Sequence, residues 1–165
     1  MRRLYHPLAV LAGVAAGLTC LTSPAGADRN PAAQNKAIVA AKFDAWSAGS
    51  GSPYELLADH ASWTIEGNSA ASDTYPSKEA FMAEVIRPFN ARMSVGLKPT
   101  IRSMIADDDR VAILFDASGT ARDGKPYRNS YAWFFQMEEG RVVKASAFFD
   151  AIAFNDLWSR VSPTK

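Results

Sequence analysis

The spacing of apolar residues changes along the chain from a helical repeat to a strand repeat. Near the start, Ile38, Phe43 and Trp46 fall on one helical stripe that ends at Gly49. Asn30, which is followed by proline, has the pattern of an N-cap with proline at the first helical position. A long first helix is therefore predicted.

Two further helical segments are indicated before the repeat changes. Ser52 and Glu55 have the spacing of a capping box that opens a short helix, and the alternating stretch "ASWTIEG" then predicts the first strand. Ser77 opens a second long helix, in which Pro88 is expected to produce a kink or an end. The apolar stripe of this helix consists of Phe81, Val85 and Phe89.

From Val95 onward, the apolar residues recur at every second position. Four long strands are predicted over Leu97 to Ala106, Val111 to Ala121, Tyr127 to Glu138 and Arg141 to Asp150. The connections "DDDR", "RDGKP" and "EEGR" are short, which favours antiparallel pairing of consecutive strands. The tail returns to helical spacing at Phe154, Leu157, Trp158 and Val161.

This order of elements predicts an α+β fold. The apolar face of the four-strand meander has to be covered, and the helices are the elements that can cover it. We expect a curved, mostly antiparallel sheet wrapped around three N-terminal helices, followed by a short C-terminal tail or helix. A cone-shaped hollow should remain between the helices and the sheet.

Residues 1–27 have the features of a cleavable signal peptide. Two arginines precede an apolar run from Leu8 to Leu21, and Ala25-Gly26-Ala27 supplies the small residues that a signal peptidase recognises. The run is too short for a comfortable membrane span, so no stable membrane insertion is expected. A lipoprotein signal at Cys20 is the alternative, but the threonine before it fits that signal poorly. We expect cleavage after Ala27, a single domain over residues 28–165, and a secreted or periplasmic protein.

Composition excludes several classes of partner and chemistry. After cleavage, 16 basic and 17 acidic residues nearly balance, which argues against a nucleic-acid partner. Cys20 and His6 leave with the leader, so neither a disulfide nor a cysteine-based metal site is expected, and His60 alone cannot form a zinc site. Three consecutive acids, Asp107 to Asp109, are interpreted as a solvated turn, with a calcium site as the alternative. No metal and no cofactor is predicted.

The order of several segments resembles a known family. The segments are "FDAWSAGS", "LLADHASWTIEG", "YPSKEAF" and "DGKPYRNSYAWFFQMEEGRVVKASAFFD", which together extend from about Ala33 to Phe154. The chain resembles SnoaL-like proteins of the nuclear-transport-factor-2-like superfamily, which also contains ketosteroid isomerase. The resemblance implies a conical fold with a pocket between helices and sheet, often dimeric through the outer face of the sheet.

The superfamily contains isomerases, cyclases, dehydratases, epoxide hydrolases and non-catalytic binders, so the fold does not fix the function. Ketosteroid isomerase uses an Asp base with a Tyr and a protonated Asp as donors. By spacing, the base position is occupied here by Ile65, and the protonated Asp falls near Tyr131 or Ala132. The helix-one Tyr falls near Lys42 or Phe43. Isomerisation of that type is therefore not expected.

Asp150 is the first candidate for a catalytic residue. It follows two phenylalanines at the end of the last predicted strand, and the resemblance to SnoaL-like cyclases implies an acid/base Asp on this strand. Aromatic neighbours would raise its pKa and prepare it for proton transfer. The alternative interpretation is that Asp150 caps the following turn or helix through backbone N–H groups.

Tyr131 and His60 are the other catalytic candidates. Tyr131 alternates with Asn129 and Trp133 on one strongly apolar strand face, so Tyr131 and Asn129 are expected to offer hydrogen bonds to a ligand. An aromatic core that satisfies its own polar atoms is the alternative. His60 is the one histidine of the predicted mature domain, and histidine is a common acid/base group. It lies at a helix-to-strand corner, where a solvent-facing or capping role is the competing interpretation.

Aromatic residues from several elements are predicted to bind the ligand together with Asn129. They are Trp63, Tyr75, Trp133 and Phe148. Trp63 and Tyr75 flank the polar loop expected at the pocket mouth, and Asp116 is expected to pair with Arg102 across strands.

Two hypotheses on function follow. In the first, the domain is exported, forms a homodimer and binds a small apolar molecule in the cone. It then acts either as a binder only or as a cofactor-free cyclase, dehydratase or isomerase with Asp150 as acid/base. In the second, the domain is a non-catalytic dimerisation or protein-binding module whose pocket is filled by its own side chains.

Overall fold

The computed structural model describes residues 30–163, and the predicted signal peptide lies outside these residues. The helical elements are α1 (Pro31–Ser47), a 3-10 turn (Pro53–Leu56), α2 (Lys78–Phe81), a π-helical turn (Met82–Ile86), α3 (Arg87–Asn90) and α4 (Ala151–Arg160). The strands are β1 (Leu57–Ile65), β2 (Thr74–Tyr75), β3 (Met93–Asp107), β4 (Arg110–Ala121), β5 (Pro126–Glu138) and β6 (Arg141–Phe149). The predicted α+β class is confirmed, and the order of elements is as predicted except for the two-residue strand β2, which lies in the predicted loop.

The predicted helix starts are confirmed by their hydrogen bonds. The side chain of Asn30 accepts a hydrogen bond from the backbone N–H of Ala33 at 3.3 Å, and that of Ser77 accepts from Ala80 at 3.1 Å. Ser52 forms the predicted capping box at the 3-10 turn. Each side chain supplies an acceptor for a backbone donor that the first turn leaves unpaired.

Pro88 neither ends nor breaks the second helix, contrary to one form of the prediction. The helix continues through the π-helical turn to Asn90. Within it, the N–H of Arg87 donates to the carbonyl of Met82, five residues back. A proline ring clashes with the carbonyl four residues back in a regular α-helix. The wider turn directly before Pro88 relieves that clash.

The six strands form one sheet in the order β2-β1-β6-β5-β4-β3. β3 to β6 pair antiparallel in sequence, as their short connections predict, whereas β1 pairs parallel with β6. The register of β3 against β4 shifts at three places. Such bulges bend a strand, and the sheet is curved and unclosed.

Strand boundaries differ slightly from those predicted. β3 begins at Met93, and β6 ends at Phe149, so Asp150 lies outside the strand and precedes α4. The three acids Asp107 to Asp109 lie at the β3–β4 turn. Within residues 30–163 no group of three or more His, Cys, Asp or Glu side chains is arranged to hold a metal ion.

The core lies between the inner face of the sheet and the helices. Along β5, buried side chains that face inward alternate with less buried side chains that face outward, as predicted. The buried set on this strand consists of Tyr127, Asn129, Tyr131, Trp133, Phe135 and Met137. α4 closes one end of the core with Phe154 and Leu157. Among the described helices, none is long and apolar enough to cross a membrane.

Candidate functional site

A cavity of about 580 Å³ lies between the inner face of the sheet and the helical segment over residues 78–90. A cavity of this size is in the range of small-molecule sites. The helical side is formed by Phe81, Met82, Val85, Ile86 and Phe89, and the sheet side by Trp63, Ile65, Tyr131, Trp133, Ala147 and Phe149. The lining is predominantly apolar.

Trp133, in the middle of β5, is the centre of the aromatic wall. Its ring lies 4.8 Å from that of Phe115 and 5.0 Å from that of Trp63, both nearly perpendicular to it. Trp46 of α1 stacks parallel to Trp133 at 6.1 Å. These separations fall in the range favoured by aromatic pairs, so rings from four elements hold one another in place.

The opposite wall contains the π-helical turn. Met82, Val85 and Ile86 all belong to this turn and line the cavity. Trp63 stacks on Phe81, just before the turn, at 4.3 Å. Single π turns within helices occur frequently at functional sites, and here the turn places three apolar side chains against the space between helix and sheet.

Two phenols are among the polar groups of the cavity lining, and a third lies directly behind them. Tyr54 and Tyr131 line it, and the hydroxyl of Tyr127 lies 3.2 Å from that of Tyr131. Burial raises the pKa of Tyr131 well above its ordinary value, and it raises the pKa of Tyr54 and Tyr127 in the same direction. These phenols are therefore neutral at physiological pH and act as hydrogen-bonding groups instead of bases.

Asn129 connects this phenol cluster to the start of α4. Its Oδ1 accepts a hydrogen bond from the backbone N–H of Asp150 at 2.9 Å. Its Nδ2 donates to the carbonyl of Asp150 at 3.0 Å and to the hydroxyl of Tyr127 at 2.9 Å. Asn129 is buried but does not line the cavity, so it supports the cavity from behind.

Asp150 is the N-cap of α4. Its Oδ1 accepts hydrogen bonds from the backbone N–H groups of Ile152 at 2.8 Å and Ala153 at 3.5 Å. The side chain is exposed and borders a polar groove outside the cavity, together with Lys98 and Arg128. These contacts agree with the interpretation of Asp150 as a helix cap. The carboxylate does not line the cavity.

Three other predicted site residues also lie outside the cavity lining. His60 is exposed on β1. Tyr75 is buried, and its hydroxyl donates to the carbonyl of Ala71 at 2.8 Å. Phe148 is 49% exposed on the outer face of the sheet, where its ring contacts Phe134. Trp63, Tyr131 and Trp133 do line the cavity.

Several residues that line the cavity were not predicted from the sequence. Phe149 lines the cavity where its neighbour Phe148 had been predicted, and Tyr54 had not been singled out. Phe81, Val85 and Phe89 lay on a predicted apolar stripe, so their periodicity could have identified them. Tyr54 carried no such signal, because it lies in a short 3-10 turn without a repeat.

The lining defines what chemistry the cavity can support. Of the described residues that line it, none is an aspartate, a glutamate or a histidine, and the one charged side chain is the exposed Lys98. The cavity can therefore enclose an apolar body, and its lining contains phenol, indole, hydroxyl and amide groups that can form hydrogen bonds. Its lining has no carboxylate or imidazole for acid/base catalysis.

Comparison with family models places the chain in a family. The model of the SnoaL-like domain matches residues 33–145. The chain therefore belongs to the SnoaL-like domain family, within the nuclear-transport-factor-2-like superfamily. No curated protein matches the chain.

Solved structures show the same fold. Bal32a, from a soil-derived mobile gene cassette, is 25% identical with a TM-score of 0.64, and the match covers 78% of this chain and 99% of Bal32a. A protein from Jannaschia sp. CCS1, provisionally assigned as a SnoaL-like polyketide cyclase, is 21% identical with a TM-score of 0.59, covering 82% and 99%. IdmH from Streptomyces antibioticus, provisionally assigned as a polyketide cyclase, is 18% identical with a TM-score of 0.57, covering 76% and 99%.

We predict that Asp150 can lose its charge without loss of stability, because its side chain caps α4. Asp150→Asn keeps the capping oxygen and should leave the free energy of unfolding within about 0.5 kcal/mol of wild type, whereas Asp150→Ala should lower it by about 1 kcal/mol. Urea denaturation followed by circular dichroism measures both. An Asp150→Asn variant as unstable as Asp150→Ala would contradict the capping role.

Proposed function

We propose that the domain binds a small, largely apolar molecule in the cavity between helices and sheet. The observation that carries this proposal is the aromatic cavity of about 580 Å³. A self-filled pocket was the competing hypothesis, and it required Trp63, Trp133 and Phe148 to plug the cone. Although Trp63 stacks on Phe81 of the helix, the cavity remains beside this pair, and Phe148 lies outside it.

Cyclase or isomerase chemistry is the second candidate function. The SnoaL-like fold supports a cyclase or isomerase domain in general terms. The lining of this chain favours binding over proton transfer, because the phenols of Tyr54 and Tyr131 stay protonated and Asp150 caps a helix outside the cavity. Any turnover would have to use hydrogen-bond polarisation of the bound molecule by these phenols.

We also propose that the domain forms a homodimer through the outer face of its sheet. Four large apolar side chains are exposed there on adjacent strands: Ile105, Leu114, Phe134 and Phe148. In the pairing of β3 to β6, Ile105 lies opposite Ala112, Ala112 opposite Phe134, and Leu114 and Phe148 both lie opposite Ala132. They thus form a contiguous patch, and such patches on sheets commonly mark interaction sites.

Export is the third part of the proposal. The pattern of two arginines, an apolar run and Ala25-Gly26-Ala27 supports removal of residues 1–27. Cleavage after Ala27 would leave Asp28 as the new N-terminus, only two residues before the N-cap of α1 at Asn30. A leader that ends this close to the first helix can be removed without loss of any described element.

We predict that filling the cavity abolishes binding of an apolar probe. N-phenyl-1-naphthylamine, a neutral fluorophore, should bind the wild-type domain, and Val85→Phe should weaken binding at least about tenfold because the added ring occupies the cavity. Ala83→Phe, on the exposed side of the same π-helical turn, is the matched control and should bind as wild type. Fluorescence titration provides the affinities. Absence of wild-type binding, or equal binding by both variants, would contradict the proposal.

Charge placed in the apolar patch of the sheet should dissociate the dimer. Phe134→Glu buries a carboxylate in the proposed interface, which is costly, so sedimentation velocity should report a monomer for this variant and a dimer for wild type. Ala41→Glu introduces the same charge at an exposed position of α1 and should remain dimeric. A monomeric wild type would disprove the homodimer.

The mature N-terminus tests export. After expression of the full chain in a bacterial host that secretes proteins, intact-mass spectrometry of the periplasmic and medium fractions should give a mass that begins at Asp28. A full-length mass confined to the cytoplasm would refute export. A lipid-modified species beginning at Cys20 in the membrane fraction would instead establish the lipoprotein alternative.

A further inference from the structure

The cavity opens at the edge of the sheet, where β3 begins. The exposed residues of its lining are Gly49 in the turn after α1, Asn90 at the end of α3, and Val95, Gly96 and Lys98 of β3. β3 is the last strand of the sheet, so no further strand of this chain covers its outer edge. The first residues of β3 therefore form one side of the mouth of the cavity.

β3 is irregular at this mouth. Four consecutive residues, Val95 to Lys98, line the cavity, although successive residues of a regular strand face opposite sides. The register against β4 shifts between Met93 and Val95 and again between Val95 and Lys98. Gly119 of β4 makes room for the shift, because a Cβ there would lie 2.7 Å from the carbonyl oxygen of Val95. Bulges of this kind redirect side chains, so residues that a regular strand would turn away from the cavity border it here.

Lys98 connects the cavity to the polar groove on the outer face of the sheet. Among the described residues, it is the one that borders both spaces. In the strand register, Ser118 of β4 lies opposite Lys98 on one side and opposite Arg128 of β5 on the other. Lys98 and Arg128 are both exposed. Two cationic side chains thus flank a hydroxyl group in one row, directly outside the mouth.

The charges of the groove leave these two cations without partners. Of its three cationic residues, Arg102 lies 3.6 Å from the carboxylate of Asp116. The other carboxylate of the groove belongs to Asp150, which caps α4. The side chains of Lys98 and Arg128 form no hydrogen bond or ion pair with another described residue. The groove therefore has an excess of one positive charge, and it lies beside Lys98.

We propose that the ligand is a long-chain carboxylic acid whose hydrocarbon part occupies the cavity and whose carboxylate pairs with Lys98 at the mouth, with Arg128 adding to the attraction. This inference rests on the proposed binding function and names its ligand class. Burying a carboxylate among the aromatic rings would be costly, whereas at the mouth it stays hydrated and meets a cation. One excess positive charge matches a carboxylate better than a phosphate monoester, which carries about −1.5 to −2 at neutral pH.

The test compares ligands with the same hydrocarbon chain. Dodecanoate and 1-dodecanol, both below the concentrations at which they aggregate, are titrated against the complex of the domain with N-phenyl-1-naphthylamine, and loss of fluorescence gives their affinities. Lys98→Met keeps the length of the side chain and removes its charge. It should weaken dodecanoate about fivefold, the effect of one exposed ion pair, and leave 1-dodecanol unchanged.

Two further variants make the measurement specific. Lys144→Met removes an exposed lysine from the outer face of β6, outside both the cavity and the groove, and should bind both ligands as wild type. Val85→Phe fills the cavity and should weaken both ligands by the same factor, because they share the hydrocarbon chain. The difference between wild type and Lys98→Met should shrink at high ionic strength, since salt screens exposed charges.

The outcomes separate this inference from the proposed function. Equal dodecanoate affinities of wild type and Lys98→Met, with 1-dodecanol still bound, would overturn the role of Lys98 and leave the binding function intact. Dodecanoate binding that is lost in Lys98→Met but unchanged in Val85→Phe would place the whole anion in the groove and overturn the shared site. Tighter binding of dodecyl phosphate than of dodecanoate would overturn the carboxylate. Failure of both chains and of the fluorophore to bind would contradict the binding function itself.

Discussion

The packing of aromatic rings around Trp133 is the interaction on which the cavity depends. Trp133 occupies the middle of β5, and its ring meets rings from α1, β1 and β4 at separations of 4.8 to 6.1 Å. Edge-to-face contacts of this kind fix the angle between two rings as well as their separation. A wall of rigid rings braced in this way keeps its shape without a side chain filling the space in front of it. The helix over residues 78–90 supplies the other wall, and the cavity is what remains between them.

A second constraint acts where the sheet ends and α4 begins. A strand that stops at Phe149 leaves the backbone groups of Asp150 without strand partners, and buried backbone groups need partners. Asn129 supplies both, on the neighbouring strand, while the Asp150 side chain caps the helix. The same amide also donates to the hydroxyl of Tyr127. One residue therefore pairs both backbone groups of Asp150 and holds a phenol behind the cavity. The corner at Asp150 and the buried phenol of Tyr127 are thus connected by the hydrogen bonds of one side chain.

The family relation accounts for the fold more than for the chemistry. SnoaL-like domains share the curved sheet and the helical cover, and the chain belongs to them. Within this frame, the side chains that project into the cavity decide what it can do. Here they are rings and neutral donors, without a lining carboxylate or histidine among the described residues. The outer face carries its own apolar patch around Phe134 and Phe148, so both faces of the sheet present apolar side chains.

Local rules determined much of this protein from the sequence. The change from helical to alternating spacing, the caps at Asn30, Ser52 and Ser77, and the short turns of the meander depend on residues close in the chain, so they could be predicted. Capping by Asp150 was weighed on the same grounds. The π-helical turn could not be predicted, because it depends on how the helix accommodates Pro88 while packing on the sheet.

Only the tertiary structure decided which residues form the site. Phe148 and Phe149 are adjacent and both apolar, and successive strand residues face opposite sides. The alternation alone could therefore not tell which of the two faces inward, and it is Phe149 that does. Tyr54 reaches the cavity from a short turn without periodicity, and Asn129 meets Asp150 across 21 residues of sequence. Contacts between positions far apart in the chain are set by the packing of sheet and helices, which local patterns do not contain.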